Sequence, residues 1–248
     1  MTDKMNDTPL EGRIALVTGA SRGIGRAVAV AMARAGADII AVAKPRSQGA
    51  LEALDDEIKA MGRHCTLVPM DLSDGDAIDR LGEAIYNRWG RLDIMVANAG
   101  ILGPISPLGH IDPKNWTELL DINLTANWRL IRAMDPILKL SKAARAIFVS
   151  SGAVGKNKAY WGGYAVSKAA LEELALTYSN ESNITSVNVN IIDPGPTKTH
   201  MRAKAVPGED PNSLPTPEDV APLFVELASP TCLKKGERVS FRDWRKTL

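Results

Sequence analysis

The stretch from Arg13 to Gly36 constrains the fold of this chain more than any other. Arg13-Ile14-Ala15-Leu16-Val17-Thr18 is a short apolar run broken off by glycine, the pattern of a strand buried on both faces. Glycines follow at Gly19, Gly23 and Gly25. A small-residue helical pattern then puts Ala27, Val28, Ala31 and Ala35 on one face, up to a natural helix stop at Gly36. A strand, a glycine turn and a helix in that order form a phosphate-binding turn. Gly19 permits the tight turn, Gly23 lets the backbone approach a pyrophosphate, and Gly25 lets helix and strand pack closely. The helix N-terminus adds unpaired N–H groups and partial positive charge. A purely structural glycine turn is the plainer alternative.

The rest of the chain repeats the alternation. Strands are predicted over residues 38–43, 64–68, 92–97, 146–149, 186–192 and 237–241. Helical patterns cover residues 49–61, 75–88, 160–180 and 220–228, with a long helix over 113–139 opened by Asp112-Pro113. The fold class is therefore α/β: a single doubly wound parallel sheet of about seven strands with helices on both faces. Residues 1–10 read as a flexible N-terminal tail and 11–248 as one domain. Residues 198–215 lack periodicity and read as a lid over the site.

Composition excludes several classes. At 45% apolar and 24% charged, the 248 residues are ordinary for a soluble domain. A net charge of +1 gives no electrostatic case for nucleic acid or membrane as partner. No apolar run approaches the length of a membrane span. Cys65 and Cys232 form no metal-ligand or disulfide pattern, which points to the reducing cytoplasm. His64, His110 and His200 show no ligand spacing, so no metal site is expected; His200 sits at the mouth of the lid.

In a doubly wound sheet, ligands bind beyond the carboxyl ends of the strands. Gly19, Asp71, Asn98, Ser151 and Pro194 all follow predicted strand ends. The second strand ends in Ala43-Lys44-Pro45-Arg46 with no acid to hold ribose hydroxyls; Arg22, Lys44 and Arg46 would pair with a 2′-phosphate, favouring NADP(H) over NAD(H). A solvated basic loop is the alternative. Asp71 would reach an adenine or cap the next helix. Tyr164 and Lys168 are four apart on one helix face, where an ammonium about 5 Å away favours the phenolate by roughly two pKa units. A solvated amphipathic pair is the plain alternative. Asn123, polar within an apolar stripe, needs a partner, and a neighbouring backbone group would suffice.

Together these residues resemble the short-chain dehydrogenase/reductase family in its single-domain form. The matching motifs are Thr18-Gly19-x-x-x-Gly23-Ile24-Gly25, Asn98-Ala99-Gly100, Asn123, Ser151, Tyr164-x-x-x-Lys168 and Pro194-Gly195, in family order from about residue 11 to 201. The resemblance implies hydride transfer between a nicotinamide cofactor and a small carbonyl or alcohol. It implies Tyr164 as acid–base residue, Ser151 bonding the same oxygen, Lys168 lowering the Tyr164 pKa and holding ribose hydroxyls, and Asn123 holding a relay water. The Thr18-Gly19 turn, with Ser21 and Gly23 in it, would hold the pyrophosphate and Ile24 would supply a backbone N–H, while Arg22 inside the turn would accompany NADP preference. Asp71, followed by Leu72, would contact the adenine; Asn98, ahead of Ala99 and Gly100, would steady the central sheet near the adenosine ribose; after Pro194 and Gly195, Thr197 would meet the carboxamide through its backbone, and Thr199 the carboxamide or the pyrophosphate.

The family also implies a homodimer or homotetramer through the long helix and the Tyr164 helix. Trp161-Gly162-Gly163 and Met201-Arg202-Ala203 resemble a bacterial subgroup. Trp161 and Met201 would line the pocket or pack in the core. The departures are Ala97 before Asn98 and an ending, Arg242-Asp243-Trp244, without the family's glycine-rich close. A catalytically silent dinucleotide sensor on the same fold is the competing reading. A nucleotide-sugar epimerase would need a larger C-terminal domain than this chain carries.

Overall fold

A computed structural model describes residues 8–248. Seven parallel strands form one sheet: β1 (Ile14–Thr18), β2 (Asp38–Ala43), β3 (Cys65–Pro69), β4 (Ile94–Ala97), β5 (Arg145–Val149), β6 (Asn188–Asp193) and β7 (Arg238–Ser240), in the order β3-β2-β1-β4-β5-β6-β7. Chain order reverses between β1 and β4, so a crevice opens there at the carboxyl edge. Val17 pairs with Val96 in that register.

Alternation along the strands sends side chains to two cores. Ala15 and Val17 meet α1 (Gly23–Arg34), α2 (Gln48–Ala60) and α8 (Pro217–Ala228) on one face. Leu16 and Met95 meet α3 (Gly75–Trp89), α5 (Ala126–Leu138) and α6 (Gly162–Glu181) on the other. The small residues of α1 let it lie close to the sheet and to α8, and burying both helix faces supplies most of the driving force. Among the described residues no helix is long and apolar enough to cross a membrane.

Several element ends shift by a few residues from the sequence reading, and three differences are larger. Leu10, assigned to the tail, is fully buried in the core, and its N–H donates to the Ala35 carbonyl at 2.9 Å; residues 1–7 of that tail lie outside the described residues. The long helix is not continuous: α4 (Pro113–Leu120) passes through a widened π turn at Asp121–Thr125 before α5. The stretch 198–215 is not structureless, because Thr199 caps a short α7 (His200–Ala205) and a 3₁₀ turn follows at Pro211–Ser213. A final α9 (Phe241–Trp244) packs Phe241 into the core.

Candidate active site

The glycine turn is built for close approach. Gly19 has φ +71°, a conformation that side chains rarely adopt, and a Cβ there would stand 2.9 Å from Asn98 Nδ2. A Cβ on Gly25 would stand 2.3 Å from the Gly19 carbonyl oxygen, so any side chain would push α1 off the turn. The turn is held from β4: Asn98 Nδ2 donates to the Thr18 carbonyl at 2.8 Å, and the backbone N–H groups of Asn98 and Ala99 donate to Thr18 Oγ1 at 3.0 Å each. Asn98 thus locks β1 to β4 at the crevice.

The residues at this turn fit a pyrophosphate. Arg22, at the N-cap of α1, makes no side-chain cap, so the first N–H groups of the helix keep their donors. Gly23 takes φ +56°, and a Cβ there would lie 3.6 Å from Thr199 Cγ2. Arg22 and Arg46 are exposed. Lys44 lies after β2 and its ammonium pairs with Asp71 after β3 at 3.1 Å. Asp71 is partly desolvated, yet the Ser73 backbone and the Lys44 ammonium bond it and hold its carboxyl below the usual range. The cap of α3 is Asp74, which accepts from the Ala77 N–H at 3.0 Å. Ser21 and Ile24 flank the turn half-buried, whereas the Leu72 side chain is buried in the core, leaving its backbone alone near the site.

At the ends of β5 and β6 the other predicted residues converge. Tyr164 and Lys168 are buried on the first turns of α6, 8% and 3% exposed. Lys168 Nζ donates to the Val149 carbonyl at 2.8 Å. A Cβ on Gly100 would lie 3.2 Å from Asn123 Oδ1 and 3.4 Å from Lys168 Nζ, so the Asn98-Ala99-Gly100 turn runs between those two side chains. Asn123 sits in the π turn with its amide fully engaged. It accepts from the Ile101 N–H at 2.8 Å and donates to the Ile101 carbonyl at 2.9 Å and to Ser167 Oγ at 3.0 Å. The side chain therefore fastens the segment after β4 to α6, and the backbone partnership weighed from sequence is the one observed.

The direction of the Tyr164 pKa departs from the sequence expectation. Burial raises it above the ordinary phenol value, a hydrogen bond from Ser151 opposes, and the Asp193 charge raises it further. Lys168 is not among the groups that shift the phenol, and burial pulls its own pKa down to about 8, with Glu172 opposing. Spacing along a helix fixes a separation but not the desolvation of both partners.

On the far wall, the Gly195 N–H donates to Asp193 Oδ1 at 3.0 Å, shaping the Pro194-Gly195 corner. The buried Thr197 donates to the Pro194 carbonyl at 3.2 Å. The Thr199 hydroxyl accepts from the Arg202 N–H at 3.2 Å as the α7 cap. Beside α7 a cavity of about 310 Å³ is lined by His200, Arg202, Val206 and Leu214, among others. The Arg202–Glu209 ion pair, at 2.5 and 2.6 Å, ties this segment back on itself. Trp161 meets the Tyr164 ring edge-on at 6.4 Å between centroids, with the Lys158 ammonium 4.8 Å over its own ring. Tyr160 takes φ +70° in the same loop, a strained backbone for an aromatic residue.

Sequence reasoning missed Glu172, Asp193 and Arg238, which surround these residues. Glu172 was findable, since it follows Lys168 by one helical turn on the same face. Arg238 carried no local signal.

A family model for short chain dehydrogenases matches residues 13–210. The oxidoreductase YciK of Escherichia coli K12 is 37% identical over 221 residues, covering 88% of this chain and 86% of its own. A short chain dehydrogenase from Salmonella enterica serovar Typhi superposes with a TM-score of 0.91 at 34% identity, covering 96% of this chain and 99% of that one. A Shigella flexneri 2a protein described as a short chain dehydrogenase complexed with NADP gives a TM-score of 0.90 at 35% identity, covering 96% and 100%.

Proposed function

The chain belongs to the short chain dehydrogenase family and is an oxidoreductase; from that premise we propose that it interconverts a carbonyl and a secondary alcohol with NADP(H), using Tyr164 as acid and base. The observation that carries this reading is the buried Tyr164 phenol with Lys168 one turn on, beside the carboxyl edge of β5 where Ser151 follows the strand and opposes the rise in the phenol's pKa. A nicotinamide dinucleotide bound along the glycine turn supplies the hydride. Tyr164 Oη gives a proton to the carbonyl oxygen in reduction and removes it from the alcohol in oxidation. Ser151 Oγ donates to the same oxygen and stabilises charge that develops there. Lys168, next to Gly100, holds ribose hydroxyls. Asn123 keeps the turn after β4 beside Lys168 through its two bonds to Ile101.

Support for NADP(H) over NAD(H) comes from the three cations Arg22, Lys44 and Arg46 at the β2 edge and from the NADP complex of the similar Shigella protein. Two free thiols, Cys65 and Cys232, support a reducing compartment, the cytoplasm. Exposed Trp128 on α5 and Val166 on α6 support association of two or more copies through those helices.

An NADPH-oxidation screen against aldehydes and ketones tests the assignment. Turnover is expected with at least one carbonyl compound, and Tyr164→Phe is expected to lower kcat by at least about a hundredfold, the scale of general acid–base catalysis, while leaving NADPH affinity within a few fold. Binding without turnover, unchanged in the variant, would identify a dinucleotide sensor instead.

A further inference from the structure

Behind the Ser151–Tyr164–Lys168 group lies a second layer of charge. Glu172 on α6 and Asp193 at the end of β6 are both largely buried, their side chains 14% and 11% exposed. Arg238 on the edge strand β7 stands between them. Its Nε donates to Glu172 Oε1 at 2.7 Å, and its Nη2 donates to Asp193 Oδ2 at 3.0 Å and to the Ser151 carbonyl at 3.2 Å. Both carboxylates also touch the site. Ser150 Oγ donates to Glu172, and Asp193 accepts from the Gly195 N–H.

We propose that Arg238 is a positioning residue for the reaction: one guanidinium ties the ends of β5 and β6 to α6 and cancels two carboxylate charges that otherwise act on the phenol and the ammonium. The geometry is specific to a planar fork, because a single ammonium cannot reach two carboxylates and a carbonyl in these directions. The identity of the reacting phenol rests on the function proposed above, but the coupling between Arg238 and Tyr164 does not.

The signs follow from the charges. Asp193 opposes ionisation of Tyr164, and Glu172 favours the charged form of Lys168. The groups that act on the phenol are Ser151, just after β5, and Asp193 from β6; Trp161 packs on its ring at the helix start, and Lys168 lies one turn along its own helix. Lys156 faces Gly152 from the loop after β5, where a Cβ would lie 3.5 Å from its Nζ. Arg238 is the cation that contacts the carboxylates themselves. Without it, both carboxylates lose the cation that contacts them, leaving Lys168 one turn from Glu172 and Lys156 near Asp193, and Tyr164 holds its proton more tightly.

Tyrosine labelled with ¹³C at Cζ reads this directly by NMR titration of the intact protein, without substrate. The chain has four tyrosines, and Tyr164→Phe assigns the resonance. Arg238→Met is expected to move the Tyr164 titration upward by at least about half a pH unit, Arg238→Lys to return part of that shift, and Asp193→Asn to move it downward. If Arg238→Met does not fold, Asp193→Asn in the otherwise native protein tests the same coupling from the other side. A Tyr164 titration that stays put in folded Arg238→Met, or in Asp193→Asn, overturns the proposal. If the titration shifts as stated while Tyr164→Phe retains turnover, the coupling stands and the catalytic reading of Tyr164 falls.

Discussion

An ammonium enclosed by protein carries a desolvation penalty that one carbonyl and one carboxylate a helical turn away only partly offset. Lys168 is in that position, and burial lowers its pKa from 10.5 to about 8. The consequence for stability has a definite sign. Between pH 8 and 10.5 the unfolded chain keeps a proton that the folded chain has shed, so this residue's contribution to stability rises with pH across the window. The penalty is fully present below pH 8 and is relieved towards 10.5; over the whole window it amounts to about 3 kcal/mol. Lys168→Met removes the titration and leaves the Val149 carbonyl unpaired, a cost of about 1–3 kcal/mol that does not vary with pH. Urea unfolding of both proteins from pH 7 to 10.5 is therefore expected to show native stability rising relative to the variant, by an amount approaching that window. A gap independent of pH would contradict the depressed lysine. The Tyr164–Lys168 pair was legible in the sequence because helix spacing is a local property. The sign of the Tyr164 pKa was not, because it depends on what covers the phenol, and Ser151 and Asp193 come from other strands.

The elements follow from pattern where their cause is local. The β2 strand and its exit at Lys44 were read to the residue, since an apolar run ending in Lys-Pro leaves little choice. The helix over 113–139 was not, because its π turn carries Asn123, which bonds a segment more than twenty residues earlier, and periodicity cannot register such a partner. The strand ends also decide how Lys44 is used. Asp71, leaving the neighbouring β3, holds the Lys44 ammonium at 3.1 Å, so this cation is positioned by sheet pairing rather than by its own loop. Lys44→Asp would place two carboxylates at adjoining strand ends. Under the NADP(H) reading, calorimetric titration is expected to show NADP(H) affinity falling by more than about tenfold while NAD(H) affinity changes by less than threefold, the loss of one charge-assisted phosphate contact. Equal weakening of both would mean that Lys44 does not meet the 2′-phosphate.

Across the whole molecule the two edges of the sheet do different work. The carboxyl edge gathers the glycine turn, Ser151 and Asp193, groups kept under strain or poorly solvated. The opposite edge is held by two buried guanidiniums. Arg13 donates to the carbonyls of Ala228, Asp93 and Ala143, and burial lowers its pKa to about 10. Arg145, 4% exposed, donates to the carbonyls of Ser229, Pro230 and Cys232 at 2.8–3.1 Å. These bonds clamp the link between α8 and β7 against the starts of β1 and β5. No sequence pattern announces such a clamp, because an arginine opening an apolar strand reads as a solvated end. Arg145→Met keeps the bulk but strips three carbonyls of their donor in a segment that water reaches only in part. Urea unfolding is expected to lose about 2–4 kcal/mol, consistent with charged hydrogen bonds that are partly replaced by solvent. Since Arg145 touches no group at the carboxyl edge, the Tyr164 titration is expected to stay where it is in the folded variant. A shift like that expected for Arg238→Met would show instead that the clamp acts on the reacting edge through β7, and that stability and chemistry are not separable along this sheet.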